Sequence, residues 1–258
     1  MNSLSIVVTN KDRLDPKSLS TQWFIKSLKW QDSNGFSILV VDGGSKNFDE
    51  LANYIRSKND KGTVPIELIQ HKTTDKFFHK TLLNNVGIRR SSGDYIMTTD
   101  ADILFGKSFI TRLYSKLKYD VFLESRVMYW KSSAVKKIYS GELDPYDDLD
   151  SCKIGRIKKR TTPGACQCTY KDNWHVLRGY DEKYIGWGSE DMDLLMRAGI
   201  LGLKTIWLGE TTEDIMLFHQ PHDKNIKREL EEQELNKARL NSIKSYRVNP
   251  SGWGAIKD

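Results

Sequence analysis

Short apolar runs alternate with stretches whose apolar residues fall at helical spacing, and this alternation continues as far as Asp102. The run Ser5-Ile6-Val7-Val8-Thr9, rich in β-branched residues, predicts a first strand. A polar loop, Asn10-Lys11-Asp12-Arg13, leaves it. Pro16 suits an early helical turn, and Leu19, Trp23, Ile25 and Leu28 give an apolar stripe, so residues 16–30 are predicted helical. Asn34-Gly35 stops that helix. Residues 36–41 form the next strand, which runs into Asp42-Gly43-Gly44-Ser45. A helix over residues 48–57, a strand over 64–70 and a helix over 81–90 follow. Gly93 and Asp94 then turn the chain into Tyr95-Ile96-Met97-Thr98, a buried strand by composition, with Asp100 and Asp102 where it runs out.

Strand–helix alternation of this kind implies an α/β fold, with a mostly parallel central sheet flanked by helices. The strands then deliver Thr9, Asp42 to Ser45, and Asp100 to Asp102 to one rim, where ligands bind in open α/β sheets. Beyond this point the pattern is looser. A helix is expected over residues 109–117, a strand over 119–129 and another over 165–170. Residues 189–198 read as a helix capped by Ser189, with Met192, Leu195 and Met196 on its apolar face and Gly199 ending it. Strands over 203–208 and 215–218 follow. Residues 143–163 break the pattern as a long loop, joining an acidic run to the basic run Lys153-Ile154-Gly155-Arg156-Ile157-Lys158-Lys159-Arg160. Residues 225–246 read as a charged helix with a thin apolar stripe of Ile226, Leu230, Leu240 and Ile243. Such a helix packs on the outside or against a partner.

Composition narrows the class. With 258 residues, 38% hydrophobic and 29% charged, the chain suits one large domain or two small ones. No apolar run approaches the roughly 20 residues of a membrane span. The start of the chain lacks the basic segment and apolar core of a secretory signal. An odd count of three cysteines argues against a disulfide framework and points to a reducing, cytoplasmic setting. Cys166 and Cys168 lack the second pair of a zinc site, so they read as buried or reactive thiols. A formal charge of +6 favours an anionic partner: a nucleotide, nucleic acid or an acidic membrane surface met peripherally.

The chemistry concentrates in three blocks. Two carboxylates one residue apart at a strand end, Asp100 and Asp102, suit a divalent cation bound with a phosphorylated ligand. The spacing recurs at Asp148/Asp150 and Asp191/Asp193, but the strand in front distinguishes this copy. The glycines of Asp42-Gly43-Gly44-Ser45 let backbone approach a ligand, and Asp42 can reach a ribose or base edge. In Gly186-Trp187-Gly188-Ser189-Glu190-Asp191, an indole that can stack on a sugar stands beside acids at a helix start, one of which can serve as a general base. Of the five histidines, His219 has the context of a metal ligand. No Gly-x-Gly-x-x-Gly follows the first strand, which argues against a nicotinamide-type dinucleotide fold, and no phosphate-binding Gly-x-x-x-x-Gly-Lys-Ser/Thr exists, which excludes a P-loop site.

These blocks, in this order, resemble the GT-A-fold glycosyltransferases, especially the inverting family-2-like enzymes and the β-1,4-galactosyltransferase group. Val40-Val41-Asp42-Gly43-Gly44-Ser45 looks like their donor-binding strand end. Asn84-Asn85-Val86-Gly87-Ile88 is similar to their Arg-Asn-x-Gly segment, with Asn84 in place of the usual Arg. Thr99-Asp100-Ala101-Asp102 resembles their DxD motif. Residues 186–191 resemble their Gly-Trp-Gly-x-Glu-Asp acceptor motif, and Met216-Leu217-Phe218-His219 an element whose His binds metal. The resemblance implies a single GT-A catalytic domain over residues 1–223, with a nucleotide-sugar half (1–102) and an acceptor half (103–223); residues 224–258, a charged helical tail, lie outside what it explains. It implies donor contacts at Thr9, Asp42, Asn85, Asp100 and Ala101, and acceptor contacts at Trp187, Gly188 and Glu190. Asp102 and His219 would ligate Mn²⁺, or Mg²⁺, and Asp191 would be the base. The implied reaction is inverting transfer from a nucleotide sugar, UDP-linked, to a hydroxyl of a glycan or glycolipid, without nucleic acid as a partner. Two alternatives stand beside it. A nucleotidyltransferase making NDP-sugars wants a Gly-rich loop after the first strand, which Asn10-Lys11-Asp12-Arg13 is not. A non-catalytic basic binding module predicts Asp102, Asp191 and His219 far apart.

Overall fold

The computed structural model describes residues 3–59, 64–75, 77–130, 132–142, 153–154, 163–209, 217–220 and 226–255. Up to Asp100 the elements follow the apolar pattern: β1 (Leu4–Asn10), α1 (Leu19–Lys29), β2 (Phe36–Asp42), α2 (Phe48–Lys58), β3 (Ile66–Gln70), α3 (Lys80–Arg90) and β4 (Tyr95–Asp100). Next come β5 (Ile103–Phe105), α4 (Phe109–Lys116), β6 (Val121–Ser125), β7 (Met128–Trp130), α5 (Ser132–Tyr139), β8 (Lys153–Ile154), β9 (Cys166–Tyr170), α6 (Lys171–Leu177), α7 (Glu190–Leu201), β10 (Lys204–Leu208), β11 (Leu217–His219) and α8 (Ile226–Leu240).

Seven strands form the central sheet, in the order β10-β6-β9-β4-β1-β2-β3, and β9 runs antiparallel to both its neighbours. The expected mostly parallel α/β sheet is therefore present. Period-2 alternation on its strands builds a core on each face. Ile6 and Val8 of β1 and Ile38 and Val40 of β2 face α1, α2 and α4, while Val7, Leu39 and Val41 face α3, α6 and α7. A second sheet, β5-β11-β7-β8, sits beyond the end of β4. Register sets the rim: Thr9 lies beside Val41 and Asp100, and Asn10 beside Asp42.

Several expectations need correction. The first helix starts at Leu19 rather than Pro16, because the Ser18 hydroxyl caps it by accepting from the Thr21 amide. Residues 119–129 are two strands in two sheets. After Ser125 the chain bends, with the Arg126 amide and guanidinium donating to the Leu208 and Gly209 carbonyls, and β7 departs toward β11. α7 runs through Gly199 to Leu201 and ends at Gly202, whose φ of 92° is the left-handed stop. Its buried face carries Leu194 and Ala198 with Asp193 and Arg197, whereas Met196 is exposed. Ser189 precedes it with φ 73° and makes no side-chain cap. The apolar pattern predicts no element at β5, α5 or α6, nor at β8, which lies within the expected long loop. The acidic run, most of the basic run, and Ile215 and Met216 lie outside the described residues.

The C-terminal segment packs against the rest of the chain. α8 lies against α7 and holds the loop before it through polar groups: Leu230 is exposed, while Glu232 and Asn236 are buried. Beyond α8, Trp253 joins the core under α3 and α6. Asn249 donates to the Arg178 and Tyr180 carbonyls and accepts from the Glu182 amide.

Candidate active site

The carboxyl edges of β1, β2 and β4 supply one wall of the site. Asp42 is fully buried there, and both its oxygens are taken. Oδ1 accepts from the Gly44 and Ser45 amides, and Oδ2 from the Asn10 amide group and the Ser45 hydroxyl. Four donors saturate a carboxylate. Asp42 thus shapes the Gly43-Gly44 turn and has no free lone pair for a nucleoside. Asn85 also departs from expectation. It is fully buried, accepts from the Tyr180 amide, and donates to the Tyr180 carbonyl and to Glu182, so it staples α3 to the loop before α7. Glu182 receives the Gly254 amide as well, and Asp181 receives Arg239. Both acids therefore take part in fixing the loop before α7.

Asp102 lies in the turn between β4 and β5. β11 pairs antiparallel with β5, placing His219 opposite Ile103, and the Gln220 amide donates to the Asp102 carbonyl. This brings His219 Nε2 to 3.8 Å from Asp102 Oδ1, with the ring stacked on Tyr129. Arg13 Nε stands 4.0 Å from Asp102 Oδ2. A carboxylate oxygen and an imidazole nitrogen at this separation fit two ligands of one divalent cation, the imidazole favouring manganese over magnesium. The described residues contain no cluster of three such side chains, and phosphate oxygens of a ligand can add to the shell.

The opposite wall is the N-terminus of α7. Lys80, the first residue of α3, reaches across with its ammonium 3.0 Å from Asp100, 3.3 Å from Glu190 and 3.4 Å from Asp191 Oδ2. Burial alone would push this ammonium down; Asp100, Asp191 and Glu190 outweigh it and hold it well above the usual lysine range. For Asp191 the balance goes the other way. Burial and the neighbouring Glu190 raise its carboxyl well above the ordinary range, with Lys80 pulling against them. Asp191 Oδ1 is buried and has no hydrogen-bond partner among the described residues. Gly164 lies directly over this group. A Cβ there would meet Asp191 Oδ2 at 2.3 Å, and its φ is 124°, so only glycine fits.

Below Asp191, Gln167 of β9 donates to Glu124 at 2.5 Å and to the Asp191 carbonyl at 3.1 Å, and accepts from the Tyr180 hydroxyl at 2.7 Å. Burial raises the Glu124 carboxyl well above its usual range, the Gln167 bond opposing and Asp191 adding to the rise. Cys166 and Cys168 flank Gln167, and burial raises both thiols, so they are structural rather than reactive.

Trp187 projects into solvent, 51% exposed, from a loop that α8 grips from behind. The Trp187 amide donates to Glu232 at 2.6 Å, and Asn236 donates to the Ile185 and Trp187 carbonyls. Gly186 packs so closely that a Cβ would sit 2.7 Å from Glu232.

The structure therefore gathers Thr9, Asp100, Ala101, Asp102, His219, Glu190 and Asp191 at one rim, with Trp187 and Gly188 beside it, and assigns Asp42 and Asn85 to scaffolding. Sequence reasoning missed Lys80, Glu124, Gln167 and Gly164. Signals existed for two of them: Glu124 is a lone charge in the apolar run Val121-Phe122-Leu123, and Gln167 is a lone amide between two buried cysteines.

Comparisons with known proteins bear on this arrangement. Residues 5–137 match glycosyl transferase family 2, and residues 153–221 match the N-terminal domain of galactosyltransferase. No curated protein sequence matches the chain. Among solved structures, a mannosyltransferase from Pyrobaculum calidifontis in complex with GDP-Man and Mn²⁺ aligns with a TM-score of 0.60 at 14% identity, over 99% of this chain and 68% of that one. TarS 1-349 of S. aureus in complex with UDP gives 0.59 at 14%, over 94% and 67%. A mutant Drosophila β1,4-galactosyltransferase 7 in complex with manganese, UDP-Gal and xylobiose gives 0.53 at 14%, over 96% and 83%. The chain spans 40% of the length of another S. aureus TarS structure. At these identities the likeness is one of fold. With the family match extending over more than half of its length, the chain belongs to glycosyl transferase family 2 and carries the GT-A fold.

Proposed function

We propose that the chain transfers a sugar from a nucleotide sugar, UDP-linked, to a hydroxyl of a glycan or glycolipid, with inversion at the anomeric carbon. The observation that carries this reading is Asp191 Oδ1, a buried carboxylate oxygen with no partner among the described residues. A buried acceptor left open is costly unless a ligand fills it. Here an acceptor hydroxyl would supply the missing hydrogen. Asp191 takes that proton as the oxygen attacks the anomeric carbon, and the nucleoside diphosphate departs from the opposite face. Its raised carboxyl makes it a stronger base than an exposed aspartate.

The donor lies along the rim from Thr9 to Asp100 and Ala101. Backbone of the Gly43-Gly44 turn, shaped by Asp42, faces the nucleoside, and Arg13 offers its guanidinium to the diphosphate. Asp102 and His219 would hold a divalent cation, manganese in preference to magnesium, which neutralises the departing diphosphate. Trp187 supplies an exposed indole for the face of the acceptor sugar. No helix of the described residues is long and apolar enough to cross a membrane. The binding-module alternative loses support from the 3.8 Å approach of His219 to Asp102 and from the Lys80 bridge between Asp100 and Asp191.

The test is a panel of UDP- and GDP-sugars with Mn²⁺ and glycan acceptors, reading nucleoside diphosphate release. Asp191→Asn should retain donor binding and lose turnover by about 10²–10⁴-fold. Release by Asp191→Asn at the wild-type rate would remove the base, and silence of the wild-type protein across the panel would remove the transferase reading.

A further inference from the structure

Lysine is an unfavourable first residue for a helix. The helix dipole places partial positive charge at that end, and a second positive charge there is destabilising. α3 nevertheless begins with Lys80. The preceding His79 is fixed on both ring nitrogens, by Asp75 at 2.7 Å and by the Glu182 carbonyl at 2.8 Å, so the helix start cannot drift. From that fixed start the Lys80 side chain spans the cleft and meets carboxylates of two other elements: Asp100 of β4, and Glu190 and Asp191 of α7. A local preference broken this way marks a position under some other demand.

We infer that Lys80 is a positioning residue for the transfer reaction, its ammonium clamping the proposed base Asp191 to Glu190 on the acceptor side and to Asp100 on the donor side. The inference rests on the transferase reading above. A lysine contact at 3.4 Å occupies Asp191 Oδ2, which leaves Oδ1 as the oxygen that addresses the acceptor. The same contact governs ionisation. Asp191 is faced by Glu190 on its own helix, Asp100 from β4, Glu124 from β6, the phenol of Tyr180 from the loop after α6, and Lys80 from α3. Among these charged neighbours Lys80 is the one that favours the carboxylate form, and the acids all oppose it. One ammonium shared among three carboxylates keeps Asp191 available as a base without returning it to the ordinary range. A merely structural ion pair would tie α3, β4 and α7 together without this consequence.

Lys80→Met and Lys80→Gln separate the two roles. The acid limb of the kcat–pH profile, which reports ionisation of the base, should move up by about one to three pH units in both variants and return toward wild type in Lys80→Arg. In ¹³C NMR the Asp191 carboxyl, identified by its absence from Asp191→Asn, should titrate higher in the same order, and this reading needs no turnover. An unmoved limb and an unmoved carboxyl titration in a folded variant overturn the inference. So does failure of all the Lys80 variants to fold, which would assign the residue to stability. Wild-type inactivity with an upward carboxyl shift in the variants would instead leave the clamp standing and overturn the transferase reading.

Discussion

At the scale of single residues, burial and charge count decide the behaviour of the site. Glu124 is buried beside the acidic Asp191, and the Gln167 and Gly164 amides do not outweigh that burial, so its neutral form is favoured. The sign of the linkage follows. The folded protein keeps the proton over a range, starting at about pH 4.3, in which the unfolded chain has lost it. Stability from this group therefore falls as pH rises through that range toward the folded value. Glu124→Gln does not titrate and can still accept from Gln167. Thermal melts from pH 5 to 8 should show the variant gaining on wild type as pH rises. A difference that stays constant with pH would mean that Glu124 is ionised in the folded state. The residue scale is also where the sequence was least legible. Asp100, Asp102, Asp191 and His219 stand out as acids or imidazole at strand and helix ends. Lys80 looks like an ordinary surface lysine until α3 is placed opposite α7, because its partners lie 20 and 110 or more positions away.

At the scale of elements, α8 sets the wall that is proposed to meet the acceptor. Its buried stripe is polar, with Glu232 and Asn236 reading the backbone of residues 185–187 and Arg239 holding Asp181. Its thin apolar stripe of Ile226, Leu230, Leu240 and Ile243 predicts only a helix on the outside or against a partner. The strands and helices up to β4 were legible because their burial follows strict periods of 2 and 3.6. β6 and β7 were not separable, since no glycine or proline marks the bend at Arg126. Removing Glu232 leaves the Trp187 amide without its partner, at a cost of about 1–3 kcal/mol confined to the loop. Glu232→Ala should therefore raise KM for the acceptor while leaving acceptor-independent donor hydrolysis unchanged. Equal loss of both activities would place the loop's influence on the donor instead.

At the scale of the whole molecule, the C-terminal residues close the body that the first strands open. Trp253 is buried against α3 and α6, with His175 and Arg89 on its ring, and Asn249 pins the loop that Asn85 holds from the other side. Trp253→Ala removes a core side chain at about 3–5 kcal/mol. At about 2–4 °C per kcal/mol for a domain of this size, the melting temperature should drop by about 6–20 °C. The melt should remain a single transition, as one cooperative body requires. An early separate phase for the C-terminal segment would contradict that.

The reversed direction of β9 has a consequence for how the chain is made. β4 is flanked by β1 on one side and by β9 on the other, and β6 meets the sheet only through β9. When residues 4–100 have left the ribosome, four adjacent strands can already pair. The backbone of Tyr95–Asp100 then stays an open, apolar edge until residues 166–170 arrive to slot in. Until then the nascent chain offers a template for a neighbouring chain to pair with. A fragment ending anywhere before Cys166 keeps that edge permanently and is the form of this protein most prone to aggregate.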